Sequence, residues 1–329
     1  MISVFNPVAH SGSTSHPPYR WSWATLTGPD ALDFLHRIST VNTQAMQVGQ
    51  GSKGCLLTAQ GKLRAFFTLW NYGEGEYGFE FDAGNGDHWK TGLFTAIDQY
   101  TFAEKITLSD VTSLESRWIF ADSENETELA GKLGIPAGSE FSAMKTLAVD
   151  EEIRICHHGK DDFGKTWVSV WGRSQRLAQW MDRQFGDAPV ISAEVVDGWR
   201  IDSNRPWVDR ELTDATIPLE AGLMDAIAPN KGCYPGQEVI EKIISLGSPA
   251  RRLATVEGTG PVPAIGAKML NTAEPSAEVG LITSVHASGN GFRALGYVRK
   301  IHAKEGFMIR MEGSPATGSI VRISPYASS

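Results

Sequence analysis

The amino-acid sequence predicts an α+β fold in which two regions of similar texture precede a small antiparallel β-barrel. Strand, turn and helix signals are interleaved densely between Trp21 and Trp207, a span that also contains all ten tryptophans. That mixture is what an α+β layer architecture produces. A strand-then-helix pattern partly recurs after the acidic, Gly-containing stretch Ser123 to Ser139, which suggests a pseudo-duplicated core. From Arg251 onward, helical periodicity gives way to short apolar runs broken by Gly and Pro, as in small barrels and sandwiches.

Taken in order, Thr27-Gly28-Pro29-Asp30 reads as a T-x-x-D capping box with Pro in the first turn. Ala31, Leu32, Phe34, Leu35 and Ile38 follow at helical spacing. A strand is expected around Leu56 and Leu57, and Leu63, Ala65, Phe67 and Leu69 alternate in the next. The turn Gly73 to Glu76 leads to Tyr77, Phe79 and Phe81, completing a hairpin with one buried face. Trp89, Leu93, Ile97 and Tyr100 mark a helix, and Ser123 to Ser139 reads as a surface connection. The second region offers a strand through Trp167, Val168 and Val170. A helix capped by Ser174 follows, and then a stripe of Val195, Val196 and Trp199 behind Ser192. Barrel strands are expected at Leu253–Val256, Gly280–Val285, Ala294–Val298 and Ser319–Ile323. The resulting division is a flexible lead-in over 1–20, α+β domains over 21–122 and 123–248, and a barrel over 249–329.

Composition narrows the function classes. With 30 Lys+Arg against 38 Asp+Glu, the formal charge is −8, which opposes strong direct nucleic-acid binding. The apolar fraction of 41% and charged fraction of 21% describe a globular chain. No apolar run reaches the roughly 18 residues that a membrane-spanning helix needs. The N-terminal residues lack the charge and apolar core of a signal peptide. Three cysteines, Cys55, Cys156 and Cys233, without C-x-x-C spacing argue against a disulfide framework or a zinc site. The reading is a cytoplasmic monomer with no membrane partner. Cys156-His157-His158 is read as strand-end residues rather than metal ligands, because neighbours on a strand face opposite ways.

The densest cluster of unusual residues is Lys231-Gly232-Cys233-Tyr234-Pro235-Gly236-Gln237-Glu238. Gly232 and the Pro235-Gly236 pair force a tight turn where backbone can approach a ligand. Lys231, two residues from Cys233, is expected to favour its thiolate. Glu238 opens an apolar segment and, if that segment is helical, complements the dipole at its start. Cys55 and Cys156 are expected to be core thiols, leaving Cys233 as the reactive one.

This octapeptide resembles the K-G-C-[FY]-x-G-Q-E signature of the YgfZ family, relatives of the glycine-cleavage T-protein, an aminomethyltransferase. Arg200-Ile201, Ile217 to Leu223, Gly28 to Leu35 with Thr40 and Asn42, Leu57 to Lys62, and several barrel segments are similar to flanking family patterns. The resemblance implies a T-protein-like folate-binding fold of two α+β domains plus a C-terminal β-barrel. It implies bound tetrahydrofolate and a role in maintaining iron–sulfur enzymes, including tRNA-modifying ones, as transient clients. It also makes Cys233 and Lys231 the candidate catalytic residues. Arg200, Glu220, Gln237, Glu238 and Asn42 become the candidate folate contacts. The general chemistry agrees, since a pterin edge needs a carboxylate and a glutamate tail needs cations.

The sequence departs from that family at telling places. Ala65 and Phe66 stand where T-proteins carry an aspartate pair, so no carboxylate is present to serve amine chemistry. Lys242 and Leu246 replace arginines common behind the signature. A standard glycine-cleavage aminomethyltransferase is therefore not expected. A folate-dependent one-carbon transferase on another substrate, or a scaffold with structural folate, remain the alternatives to a YgfZ-type protein.

Overall fold

The alternation of Leu63, Ala65, Phe67 and Leu69 places all four in the interior of an eleven-residue strand, with Arg64, Phe66 and Thr68 less covered between them. Such local patterns build the whole chain in the computed structural model, which describes residues 3–5, 20–122, 130–135, 144–150, 153–160, 166–185 and 192–325. Most of the connection expected over 123–139 lies outside these residues. The elements are β1 (Ser3–Phe5), β2 (Trp21–Thr27), α1 (Ala31–Ile38), β3 (Gly51–Leu57), β4 (Leu63–Gly73), β5 (Glu76–Asp82), α2 (His88–Tyr100), β6 (Thr107–Asp110) and β7 (Glu115–Asp122). They continue with β8 (Lys145–Asp150), β9 (Ile153–Lys160), β10 (Thr166–Arg173), α3 (Ser174–Phe185), α4 (Ala193–Asp202) and α5 (Gln237–Ser245). Six more strands complete the order: β11 (Arg251–Thr259), β12 (Lys268–Asn271), β13 (Glu278–Ser288), β14 (Gly291–Arg299), β15 (Met308–Met311) and β16 (Thr317–Ile323).

Two five-stranded sheets run in the orders β3-β4-β5-β2-β6 and β1-β7-β10-β9-β8. The chain divides into two compact units, the first being Met1–Gly54, Ala65–Val196 and Ala228–Gly232. The second is Cys55–Arg64, Asp197–Ile227 and Cys233–Ser329.

In the first unit, α1 buries Ala31, Phe34, Leu35 and Ile38 of the expected face, whereas Leu32 is exposed. Its start differs from expectation. Thr27 is the last residue of β2, and the helix is preceded by Asp30, whose carboxylate makes no capping bond. Asp30 Oδ2 instead accepts the Lys105 amide at 2.6 Å, so a tertiary contact displaces the local cap. The expected lead-in also contains β1, which pairs antiparallel with β7 and covers the free backbone edge of that strand.

The β4–β5 hairpin forms as read, with Leu69 opposite Phe79. It is buried on both faces rather than one, because Trp70 and Glu80 lie among the buried residues beside Phe67 and Phe79. Trp70 packs against Trp171 of β10 at 5.8 Å, and Trp23 lies 5.0 Å from the same ring. Glu80 meets Arg117 of β7 at 2.6 Å and accepts the Trp70 indole N–H at 3.1 Å. Arg117 Nε also donates to Ser169 Oγ at 3.0 Å. Cys156 is buried in the middle of β9 rather than at a strand end, opposite Ser169. In α4, Ala193, Val196 and Ile201 are buried while Val195 is 42% exposed, so the core stripe is shifted one position from the expected one.

In the second unit, six antiparallel strands close a barrel in the order β11-β14-β13-β12-β15-β16, β16 returning to pair with β11. Val256, Met269, Ile282, Phe292, Ile309 and Ile320 are among the residues that fill it. β12 and β15 are too short to have been read from alternation.

Glu80→Ala removes the carboxylate that meets the buried Arg117 guanidinium at 2.6 Å. Such a loss costs about 3–5 kcal/mol, measurable as a fall in the urea midpoint at constant slope. A loss below about 1 kcal/mol would mean that solvent reaches this pair.

Candidate functional site

Gly236 adopts φ +82°, and a Cβ added there would lie 2.5 Å from the Thr58 carbonyl oxygen and 3.0 Å from Gly61 Cα. Only glycine serves at such a position. Its partner Gly61, at φ +72°, closes the turn between β3 and β4 by donating its amide to Thr58 O at 2.9 Å. The Gln237 amide donates to Tyr234 O at 3.2 Å. Pro followed by a positive-φ Gly inside that span is the pattern of a type II turn. Immediately afterwards α5 begins, with Glu238 in its first turn, where a carboxylate complements the exposed amides.

The segment is anchored on both sides of its cysteine. Tyr234 is buried, and burial, helped by Glu241 and Cys55, pushes its phenol up to about 12. Lys231, in the first unit, is buried and donates to the carbonyls of His36 and Ser39, the latter at 2.5 Å. These carbonyls belong to the last turn of α1 and the residue that follows it, where a cation meets the negative end of the dipole. Burial pulls the Lys231 ammonium down to about 8 against the pull of those carbonyls. Its ammonium is thus a helix-end contact, whereas the sequence suggested a partner for the thiol. Between these anchors Cys233 is exposed, while Cys55 and Cys156 are buried.

The remaining candidates separate. Arg200 is buried, with Nε at 2.5 Å from Asp197, Nη1 at 3.0 Å from Glu211 and Nη2 donating to Ser284 Oγ at 2.7 Å. All three nitrogens are engaged by protein acceptors, so Arg200 offers no open fork to a glutamate tail. Glu220 accepts Arg251 Nε at 3.0 Å through Oε2, and its Oε1 has no partner among the described residues. Gln237 donates to Glu241 at 2.6 Å, and Glu238 is exposed. Asn42, in the first unit, is half-buried ahead of the short turn Thr43–Ala45 and uses no side-chain cap. In the second unit, Glu220 therefore keeps one carboxylate oxygen available to a hydrogen-bond donor.

Sequence reading missed Glu211. Its carboxylate accepts Arg200, Ser284 Oγ at 2.6 Å and Thr283 Oγ1 at 2.7 Å, and its carbonyl accepts the Tyr297 hydroxyl at 2.9 Å. No periodicity marks the stretch around it.

No family model matches the chain. It is 24% identical to a putative chloroplastic transferase of Arabidopsis thaliana, over 92% of this chain and 68% of that one. A tRNA-modifying protein YgfZ of Serratia proteamaculans is 23% identical over 78% of this chain and 77% of its own. The Vibrio vulnificus protein of the same name is 24% identical over 83% and 74%. Among solved structures, the glycine cleavage system aminomethyltransferase T from Bartonella henselae superposes with a TM-score of 0.80 at 17% identity, covering 98% of this chain and 85% of that one. The chain thus resembles YgfZ proteins over most of its length and has the aminomethyltransferase fold. No helix among the described residues is long and apolar enough to cross a membrane.

Because Lys231 binds its proton less tightly when folded than the usual 10.5, folding releases it between pH 8 and 10.5. Stability from this group therefore rises with pH across that window and is lost as pH falls through 8. Wild type should gain on Lys231→Met over that range in paired urea titrations. A pH-independent difference would contradict the buried ammonium.

Proposed function

We propose that this chain is a folate-binding protein of the YgfZ type that supports tRNA-modifying iron–sulfur enzymes, with Cys233 as the residue that meets the client. One observation carries the reading: of three cysteines, only Cys233 is exposed, on a segment whose neighbours on both sides are buried. The tRNA-modifying relatives and the aminomethyltransferase fold support it.

A single thiolate cannot hold an iron–sulfur cluster by itself, since such clusters require several. Cys233 therefore acts transiently, losing its proton to water as the sulfur takes a coordination position on a partner's iron. Rigid flanks suit that role, because the sulfur is presented with little freedom to lose on contact. Tetrahydrofolate is the proposed ligand, with the second unit's Glu220 offering it a carboxylate oxygen and Arg200 as a framework residue.

Ordinary aminomethyl transfer is disfavoured. Ala65 is buried and Phe66 half-buried on β4, and neither can carry charge beside an amine.

The test is complementation of a deletion strain, scored by iron–sulfur-dependent tRNA modification. Wild type and Cys55→Ala should restore it, and Cys233→Ala should leave at least a tenfold deficit at equal protein level. Full restoration by Cys233→Ala would overturn the reading.

A further inference from the structure

A concave site lies wholly within the second unit, where the stretch following α4 meets the barrel strands β11, β13 and β14. Its volume is about 280 Å³, and its lining includes three arginines, Arg210, Arg251 and Arg299, and two carboxylates, Glu278 and the Arg200-paired Glu211. Two of them are already balanced: Arg251 by Glu220 at 3.0 Å and Arg299 by Glu278 at 3.4 Å. Arg210 is half-buried, and its guanidinium has no partner among the described residues. An uncompensated guanidinium in a partly desolvated pocket favours an anion, because its planar fork matches carboxylate and phosphate oxygens.

The pocket is also firmly built. The residue beside Arg210 is Glu211, whose carboxylate is fixed by Arg200 and Ser284 and whose carbonyl accepts Tyr297. Arg210 itself donates its amide to Trp207 O at 3.3 Å. On the barrel side, Arg251 stacks over the Tyr297 ring at 4.4 Å, and Leu281 adds an apolar wall. At 280 Å³ the space falls just below the roughly 300–1,000 Å³ of ordinary small-molecule pockets. It suits a small charged group rather than a large planar ligand.

We propose that this pocket is a binding site for a small anion, a carboxylate or a phosphate, held chiefly by Arg210. Neither Cys233 nor the proposed folate chemistry enters this inference.

Calorimetry of the full chain at low ionic strength, with inorganic phosphate, succinate and neutral succinamide, tests it. Saturable one-site binding of phosphate alone identifies a phosphate site, and of succinate alone a carboxylate site. Succinamide should not bind. Arg210→Gln should weaken the anion at least tenfold, as expected for loss of charge-assisted hydrogen bonds. Arg210→Lys should lie between, and Lys304→Gln, an exposed substitution, should match wild type. The proposal is overturned if neither anion saturates at tens of millimolar, if succinamide binds equally well, or if Arg210→Gln retains wild-type affinity.

Discussion

The contact between the two glycine turns, Gly236 against Thr58 and Gly61, underlies the rest of the candidate site. A side chain at 236 would meet the Thr58 carbonyl at 2.5 Å, well inside van der Waals distance, so the backbone must approach bare. That approach sets where α5 begins, because Ile240 donates its amide to Gly236 O at 3.3 Å. It also fixes the turn that buries Tyr234. The turn holds Tyr234 in the interior, and the residue before it, Cys233, is exposed. Exposure of the thiol follows from backbone geometry, not from any polarity of cysteine itself, a residue that prefers the interior.

A different logic governs the second unit. There a buried guanidinium, Arg200, and a buried carboxylate, Glu211, join α4, the stretch after it and β13 through a connected set of hydrogen bonds. Buried charges are tolerated only where such partners saturate them. Saturation has a functional consequence: an arginine committed to framework acceptors is not available to a ligand. Cationic recognition in this unit falls instead to a residue ten positions later in the chain, Arg210, which the same network positions through its neighbour.

Much of this was legible in the sequence wherever the signal was local. Period-two alternation in Leu63 to Leu69 and in Tyr77 to Phe81 gave the hairpin, and the periodic residues of α1 and α2 gave their buried faces. The loss of helical period after Arg251 announced the barrel. The Gly, Pro and Cys content of residues 231–238 marked the candidate site and its exposed thiol. What stayed hidden depends on partners distant in sequence. Glu80 reads as the polar face of a hairpin until Arg117 arrives from the other sheet. Asp30 reads as part of a cap until Lys105 takes its carboxylate. Lys231 stands beside Cys233 in the sequence, yet its ammonium reaches carbonyls nearly two hundred residues earlier. Neighbours along the chain are a poor guide to the partner of a long flexible side chain, which takes the nearest concentration of acceptors.

The fold exposes one thiol and shelters two. Iodoacetamide modification of the native chain, followed by peptide mass spectrometry over time, reads this directly. Cys233 should be alkylated to completion while Cys55 and Cys156, both fully buried, remain unmodified until denaturant is added. Modification of Cys55 or Cys156 at a rate equal to or faster than Cys233 in the native chain would mean that the fold does not shelter them.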